Sequence, residues 1–179
     1  MPLRVVSSFD DGPGTLISFD GANMEGAVVS GIAHASDEAK ITIEGVADIP
    51  GVASKIISPV SAANIDVDMI VQNTSAEGLT DFTFTVKRPD FDEALALLRS
   101  VSKDIGARKV SGDSQISKVS VVGVGMRSHA GVASRVFGAL ARENINIQMI
   151  STSEIKISVV VDEKYTELAV RSLHEEFNL

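Results

Sequence analysis

The sequence predicts an α+β fold of two similar β-α-β-β-α-β units, each an antiparallel sheet with helices on one face. Three observations point there. The chain repeats itself: GVASKIISPVSAANIDVDMI (51–70) and GVASRVFGALARENINIQMI (131–150) share eight of twenty residues at an offset of 80. Short β-rich runs with alternating apolar residues flank each copy. Between them lie segments with apolar residues at helical spacing. Two copies, not many, mean a pair of domains rather than a solenoid.

Each unit opens with a strand, KITIEGV (40–46) or KVSVVGV (118–124), where the register of the repeat shifts by two. The turns DIPG and SHAG follow, with Asp48 and Ser128 as N-cap residues and Pro50 suited to a first helical turn. Val52, Ala53, Ile56 and Val60 form the stripe of one helix; Val132, Ala133, Val136, Phe137 and Leu140 form its counterpart. Pro59 is expected to kink the first helix or end it early. Asn64 and Asn144 stop the helices. Second strands follow at IDVDMIVQN and INIQMISTS. SAEGL then loops to a third strand in unit one, and Ser153-Glu154 is a tight turn in unit two. FTFTV (82–86) lies on ISVVV (157–161) after a deletion of five. Second helices fall at about 91–102 and 164–177, and ARKVSG, at about 106–111, closes unit one. The order is the ferredoxin-like split β-α-β pattern.

Unit two reaches Leu179 directly after its second helix. A three-stranded sheet would leave an uncovered edge there. LRVVSSF has strand composition and is assigned to that edge. Unit two is therefore read as discontinuous, residues 3–9 plus 116–179. Unit one, 28–111, is inserted, and 10–27 connects. VVSGIA (28–33) is assigned to unit one, as a strand added to KITIEGV by a hairpin through ASDE. TLISF is a short linking strand.

Composition narrows the function. Sixteen Lys plus Arg against 24 Asp plus Glu, a formal charge of −8, argue against nucleic acid as partner. With only 4% aromatic residues, base stacking on a sheet is not expected either. No apolar run is long enough to cross a bilayer, and the N-terminus lacks a signal peptide's apolar core. A cytoplasmic protein with no membrane partner is expected. There is no cysteine for disulfide or thiolate chemistry.

The search for catalysis is negative. His34, His129 and His174 fall in different elements, without metal-ligand spacing. Ser100 and Lys103 sit on an ordinary amphipathic helix. GVGMRS reads G-x-G-x-x-S, and no acid ends the next strand, so it lacks the dinucleotide fingerprint. No catalytic residue and no metal ligand is assigned. The repeated turns are the better candidates. Gly51 and Gly131 each lie between a strand and a helix N-terminus, where backbone N–H groups and the helix dipole attract a carboxylate. Polar residues recur nearby: Asn64, Asp66, Gln72 and Asn73 in unit one, Asn144, Asn146, Gln148, Thr152 and Ser153 in unit two. Such amides can satisfy the charged ends of a small zwitterion.

DIPGVA, NIDVDMIVQNTS, TDFTFTV, VSVVGVGMRSHAGV, NINIQMISTSEIKISV and LHEEFNL resemble the regulatory part of aspartate kinase, a tandem of ACT domains. The resemblance covers essentially the whole chain; MIVQNTS and ISTSEIKISV are its most specific blocks. It implies a non-catalytic regulatory part or subunit. Threonine or lysine, or both, would bind it as effectors and inhibit the kinase, which makes aspartyl phosphate from aspartate. ATP and Mg would be used by the kinase domain, with no cofactor in this chain. Carried over as effector-binding are Asp48, Gly51, Val52, Ala53, Asn64, Ile65, Gln72 and Asn73. In unit two they are Met126, Ser128, Asn144, Ile145, Asn146, Thr152 and Ser153. Backbone groups of Val52, Ala53, Ile65 and Ile145 would meet the ligand's ends. Asp48, Gln72 and Asn144 would read its ammonium or hydroxyl. Ile49 stands where the family often has a basic residue, and Ala130 where it often has proline. MEGAVVSGIA resembles the internal start from which some bacteria make the tandem as a separate subunit. The expected partners are a second copy, in a homodimer with pockets near the interface, and the kinase domain or alpha subunit. The alternative is a stand-alone ACT-type amino-acid sensor that regulates another enzyme or transcription.

Overall fold

The structure, a computed structural model, describes residues 3–6, 9, 13–17, 28–74, 77–124 and 131–179. At its start, β1 (Leu3–Val5) pairs antiparallel with β2 (Thr15–Ile17), Leu3 opposite Ile17. β3 (Gly31–Ala35) is followed after two residues by β4 (Glu38–Ala47). Unit one continues with α1 (Val52–Ala62), β5 (Val67–Thr74), β6 (Leu79–Lys87), α2 (Phe91–Val101) and β7 (Lys109–Asp113). Unit two contains β8 (Ile116–Val122), α3 (Val132–Arg142), β9 (Met149–Thr152), β10 (Lys156–Asp162) and α4 (Thr166–Phe177). The sheets run β5-β6-β4-β7 and β3-β8-β10-β9, four antiparallel strands each.

The strand that completes unit two is not the expected one. The fourth strand of unit two is β3, not 3–9, and β3 does not pair with β4. Gly31 lies opposite Val122 and Ala35 opposite Lys118. Unit two does borrow a strand from upstream, but from a nearer segment. Burial gives the reason. Val29 is buried in unit two's core, with Val28 and Ile32 against it. Leu3, Val5 and Val6 stay more than half exposed, at 58%, 53% and 58%, so they fill no core. The bend at Ser36-Asp37 sends β3 and β4 into different sheets rather than one hairpin.

Inside each unit the periodicity acts as expected. Ile41, Ile43, Phe82, Phe84 and Val86 turn one face of the sheet to Ile56, Val60, Ala94 and Leu98 of the helices. Val119, Val121, Val159 and Val161 do the same with Val136, Leu140, Ala169 and Leu173. α1 continues through Pro59 to Ala62. The proline removes one hydrogen bond near the C-terminus, while buried Ile56 and Val60 hold the last turns on the sheet. Asn64 and Asn144 stand at φ 59° and 55°, in the left-handed region. Their N–H groups donate to Ser61 and Ala141, and those of Ile65 and Ile145 to Val60 and Leu140. This is a Schellman stop in both copies, and it favours asparagine among non-glycine residues.

The faces opposite the helices meet. Met69, Ile116, Met149 and Val160 form a buried cluster between the units, with Val71 against it. A bulge in β5 makes this possible. Val67 faces Val86 and Ile70 faces Phe84, so Asp68 and Met69 together oppose Thr85. The Met69 N–H donates to the Thr85 hydroxyl at 3.1 Å. Polar bridges flank the cluster. Lys118 Nζ donates to Glu38 at 2.9 Å and to Asp68; Lys40 Nζ donates to Gln148; Arg88 donates to Glu163 at 3.0 Å.

Candidate functional site

The turn between β4 and α1 builds a hollow. Gly51, at φ 91°, reverses the chain so that α1 starts at Val52. Only glycine adopts this conformation without strain. The Val52 N–H donates to Ile49 O at 3.2 Å, and that of Lys55 to Gly51 O at 3.0 Å. Asp48 is not the N-cap expected of it. Gly51 holds that position, and the helix start takes no side-chain hydrogen bond. The carboxylate is exposed instead beside the free end of the helix, where the dipole is positive. Gly131 repeats the geometry at φ 99° and likewise takes the N-cap place expected of Ser128.

Asp48, Ile49, Pro50, Gly51, Val52, Ala53 and Gln72 line this hollow, of about 400 Å³. Five of the expected site residues thus converge: Asp48, Gly51, Val52, Ala53 and Gln72. Gln72 reaches it because β5 runs at the sheet edge with Gln72 opposite Phe82, on the helix side. Asn64 and Ile65 lie at the far end of the 11-residue α1, a rise of about 16 Å away. Ile65 is buried in the core and Asn64 makes the helix stop. Asn73 pairs with Asp81, and its carbonyl accepts from Thr80 at 3.0 Å.

In unit two, Asn144 and Ile145 repeat the helix stop, and Asn146 is exposed beside them. Thr152 holds the edge position equivalent to Gln72, opposite Ile157. Ser153 closes the turn to β10, its N–H donating to Lys156 O at 2.8 Å. Met126 and Ser128 lie outside the described residues. None of the described ones, Asn144, Ile145, Asn146, Thr152 and Ser153, lines the hollow of unit one within the single chain. Ile49 and Pro50 complete the lining, and their only mark in the sequence is their place in DIPG, before the repeated glycine. Among the described residues no group of three His, Asp or Glu could hold a metal ion. No described helix is long and apolar enough to cross a membrane.

Known proteins match both units. Residues 41–103 and 119–177 each match a model of the ACT domain. The aspartate kinase of Pseudomonas fluorescens is 64% identical over 180 residues, covering 100% of this chain and 44% of that protein. The chain therefore spans less than half of that relative's length. Among solved structures, a chain of the aspartokinase alpha and beta subunits is 56% identical with a TM-score of 0.80; the match covers 84% of this chain and 99% of that one. The ligand-free regulatory subunit of aspartate kinase from Thermus thermophilus is 39% identical, with a TM-score of 0.79 and the same coverages.

Proposed function

We propose that this chain, which belongs to the aspartate kinase family as its regulatory tandem of ACT domains, binds threonine, lysine or both and relays feedback inhibition to the kinase. The observation that carries the reading is the hollow at Asp48–Ala53. A ligand carboxylate would meet the backbone N–H groups at the start of α1, favoured by the helix dipole. Asp48 would take the ammonium, and the Gln72 amide would read a hydroxyl or side-chain tip. Chemistry on aspartate, with ATP and Mg, belongs to the catalytic part, as domain or alpha subunit. This chain supplies binding only.

A second copy completes the site. The hollow is open, and the amides of unit two lie elsewhere in the same chain. β5 and β9 are edge strands, each with an exposed isoleucine, Ile70 at 51% and Ile150 at 43%. Edges of this kind pair readily with another chain, and a homodimer would bring Asn144, Asn146 and Thr152 towards the hollow of its partner. The test is thermal unfolding with threonine, lysine and alanine. Saturation at 100 times the dissociation constant stabilises by about 2.7 kcal/mol, roughly 5–10 °C for a chain of this size. Threonine or lysine should raise the Tm and alanine should not. No shift with either at millimolar concentration rejects the reading.

A further inference from the structure

The two units meet through matched residues, and the match breaks at one place. Lys40 and Lys118 share a position in the repeat, as do Asp68 and Gln148, and Met69 and Met149. Each lysine crosses to the other unit: Lys118 to Asp68 in β5, Lys40 to Gln148 just before β9. Lys118 also holds Glu38 at 2.9 Å, so two carboxylates answer its charge. Lys40 makes no ion pair among the described residues; the position that would supply its carboxylate is the amide Gln148. Lys40 is part-buried, and an ammonium drawn from water is costly unless an anion answers it.

A cavity of about 380 Å³ opens at this point. Lys40, Thr42, Thr83 and Gln148 form its polar wall, and Val71 and Met149 are part of its apolar one. The Thr83 hydroxyl donates to Thr42 Oγ1 at 3.2 Å, which leaves the Thr42 proton to donate elsewhere. Among the described residues no acidic side chain lines the cavity, so none of them there would hold the ammonium of an amino acid.

We propose that this cavity binds a small aliphatic carboxylate lacking an ammonium group. Its carboxylate takes, at Lys40, the role that Asp68 plays at Lys118, and accepts from the Thr42 hydroxyl. Its tail lies on Val71 and Met149. The ligand would add a second charged tie across the joint between the units. The site is separate from the hollow at Asp48–Ala53, and neither proposal depends on the other.

The test is a methyl and lysine-ammonium NMR titration of the whole chain with acetate, butyrate and succinate, at constant ionic strength. One charge-assisted contact and a short tail give dissociation constants on the order of 1–10 mM for the best probe. Saturable shifts are expected at the Met149 methyl and Lys40 Nζ. Butyrate should bind more tightly than acetate by about fourfold per methylene. Lys40→Met should weaken binding by about tenfold or more. Gln148→Asp should do the same in a folded protein, because it supplies internally the carboxylate that Asp68 supplies in the other half. Lys109→Met, which removes a cation paired with Glu44 elsewhere, should leave binding unchanged. The proposal is overturned if none of the three probes saturates, or if Gln148→Asp binds butyrate as well as the unaltered protein. Threonine and lysine titrations report instead on Asp48–Ala53 and Gln72, so either proposal can fail alone.

Discussion

Replacing Lys118 by methionine tests the joint between the units. Glu38 is 1% exposed, and its Oε2 is buried with no hydrogen-bond partner among the described residues. Without Lys118, its remaining cation is Lys87, at 3.8 Å and half exposed. Breaking a buried pair from one side costs about 3–5 kcal/mol. Lys87 offsets part of that, and the contact to Asp68, whose side chain is 44% exposed, adds under about 1 kcal/mol. Lys118→Met should therefore destabilise by roughly 2–4 kcal/mol, about 4–16 °C in Tm. Glu38→Gln in the same chain should recover most of the loss, giving a coupling energy near 2 kcal/mol by double-mutant cycle. pH adds a signature. Burial alone would lower the pKa of Lys118, but hydrogen bonds to Asp68 and Glu38 outweigh it and raise the value above 10.5. The stabilisation is therefore complete below pH 10.5 and disappears as pH climbs through the higher folded value. Urea unfolding at neutral pH and across that alkaline window, compared between the two proteins, reads both effects. A Tm within about 1 °C of the unaltered protein, or no recovery from Glu38→Gln, refutes the reasoning.

Gly51→Ala adds a Cβ that meets nothing within 4 Å, so its cost is the strain of φ 91° alone, about 1–2 kcal/mol by chemical unfolding. Glu176 accepts hydrogen bonds from Arg135 and Arg142, and these lower its pKa below 4.5. Its contribution is present above pH 4.5 and lost as pH falls through the folded value, so Glu176→Gln should flatten the acid limb of a stability–pH curve. A chain starting at Met24 keeps β3, so hydrogen exchange at 119–122 and 157–161 should match that of the whole chain; Val29→Ala, truncating a side chain 6% exposed, should speed it there by opening the core, at roughly 1–3 kcal/mol.

The sequence by itself determined the two units and their elements. Alternation in FTFTV and ISVVV, the stripes from Val52 to Val60 and from Val132 to Leu140, and the turns before Gly51 and Gly131 are all short-range patterns. Local sterics and the burial of one face are enough to read them. The half-site at Asp48, Gly51, Val52, Ala53 and Gln72 was legible for the same reason, since one turn and one adjacent edge strand build it. Tertiary structure alone decided what is paired across distance. Whether 3–9 or 31–35 completes unit two depends on which segment reaches its core, and both have strand composition. Val29 and Ile32 pack there; Leu3 and Val5 do not. Asp68 and Met69 turn to the same side only because β5 bulges opposite Thr85, which an alternating pattern cannot signal. The crossing of Lys40 and Lys118 was present in the repeat as two matching letters. Its meaning depends on two sheets meeting face to face, and that contact is set by packing between residues some 80 positions apart.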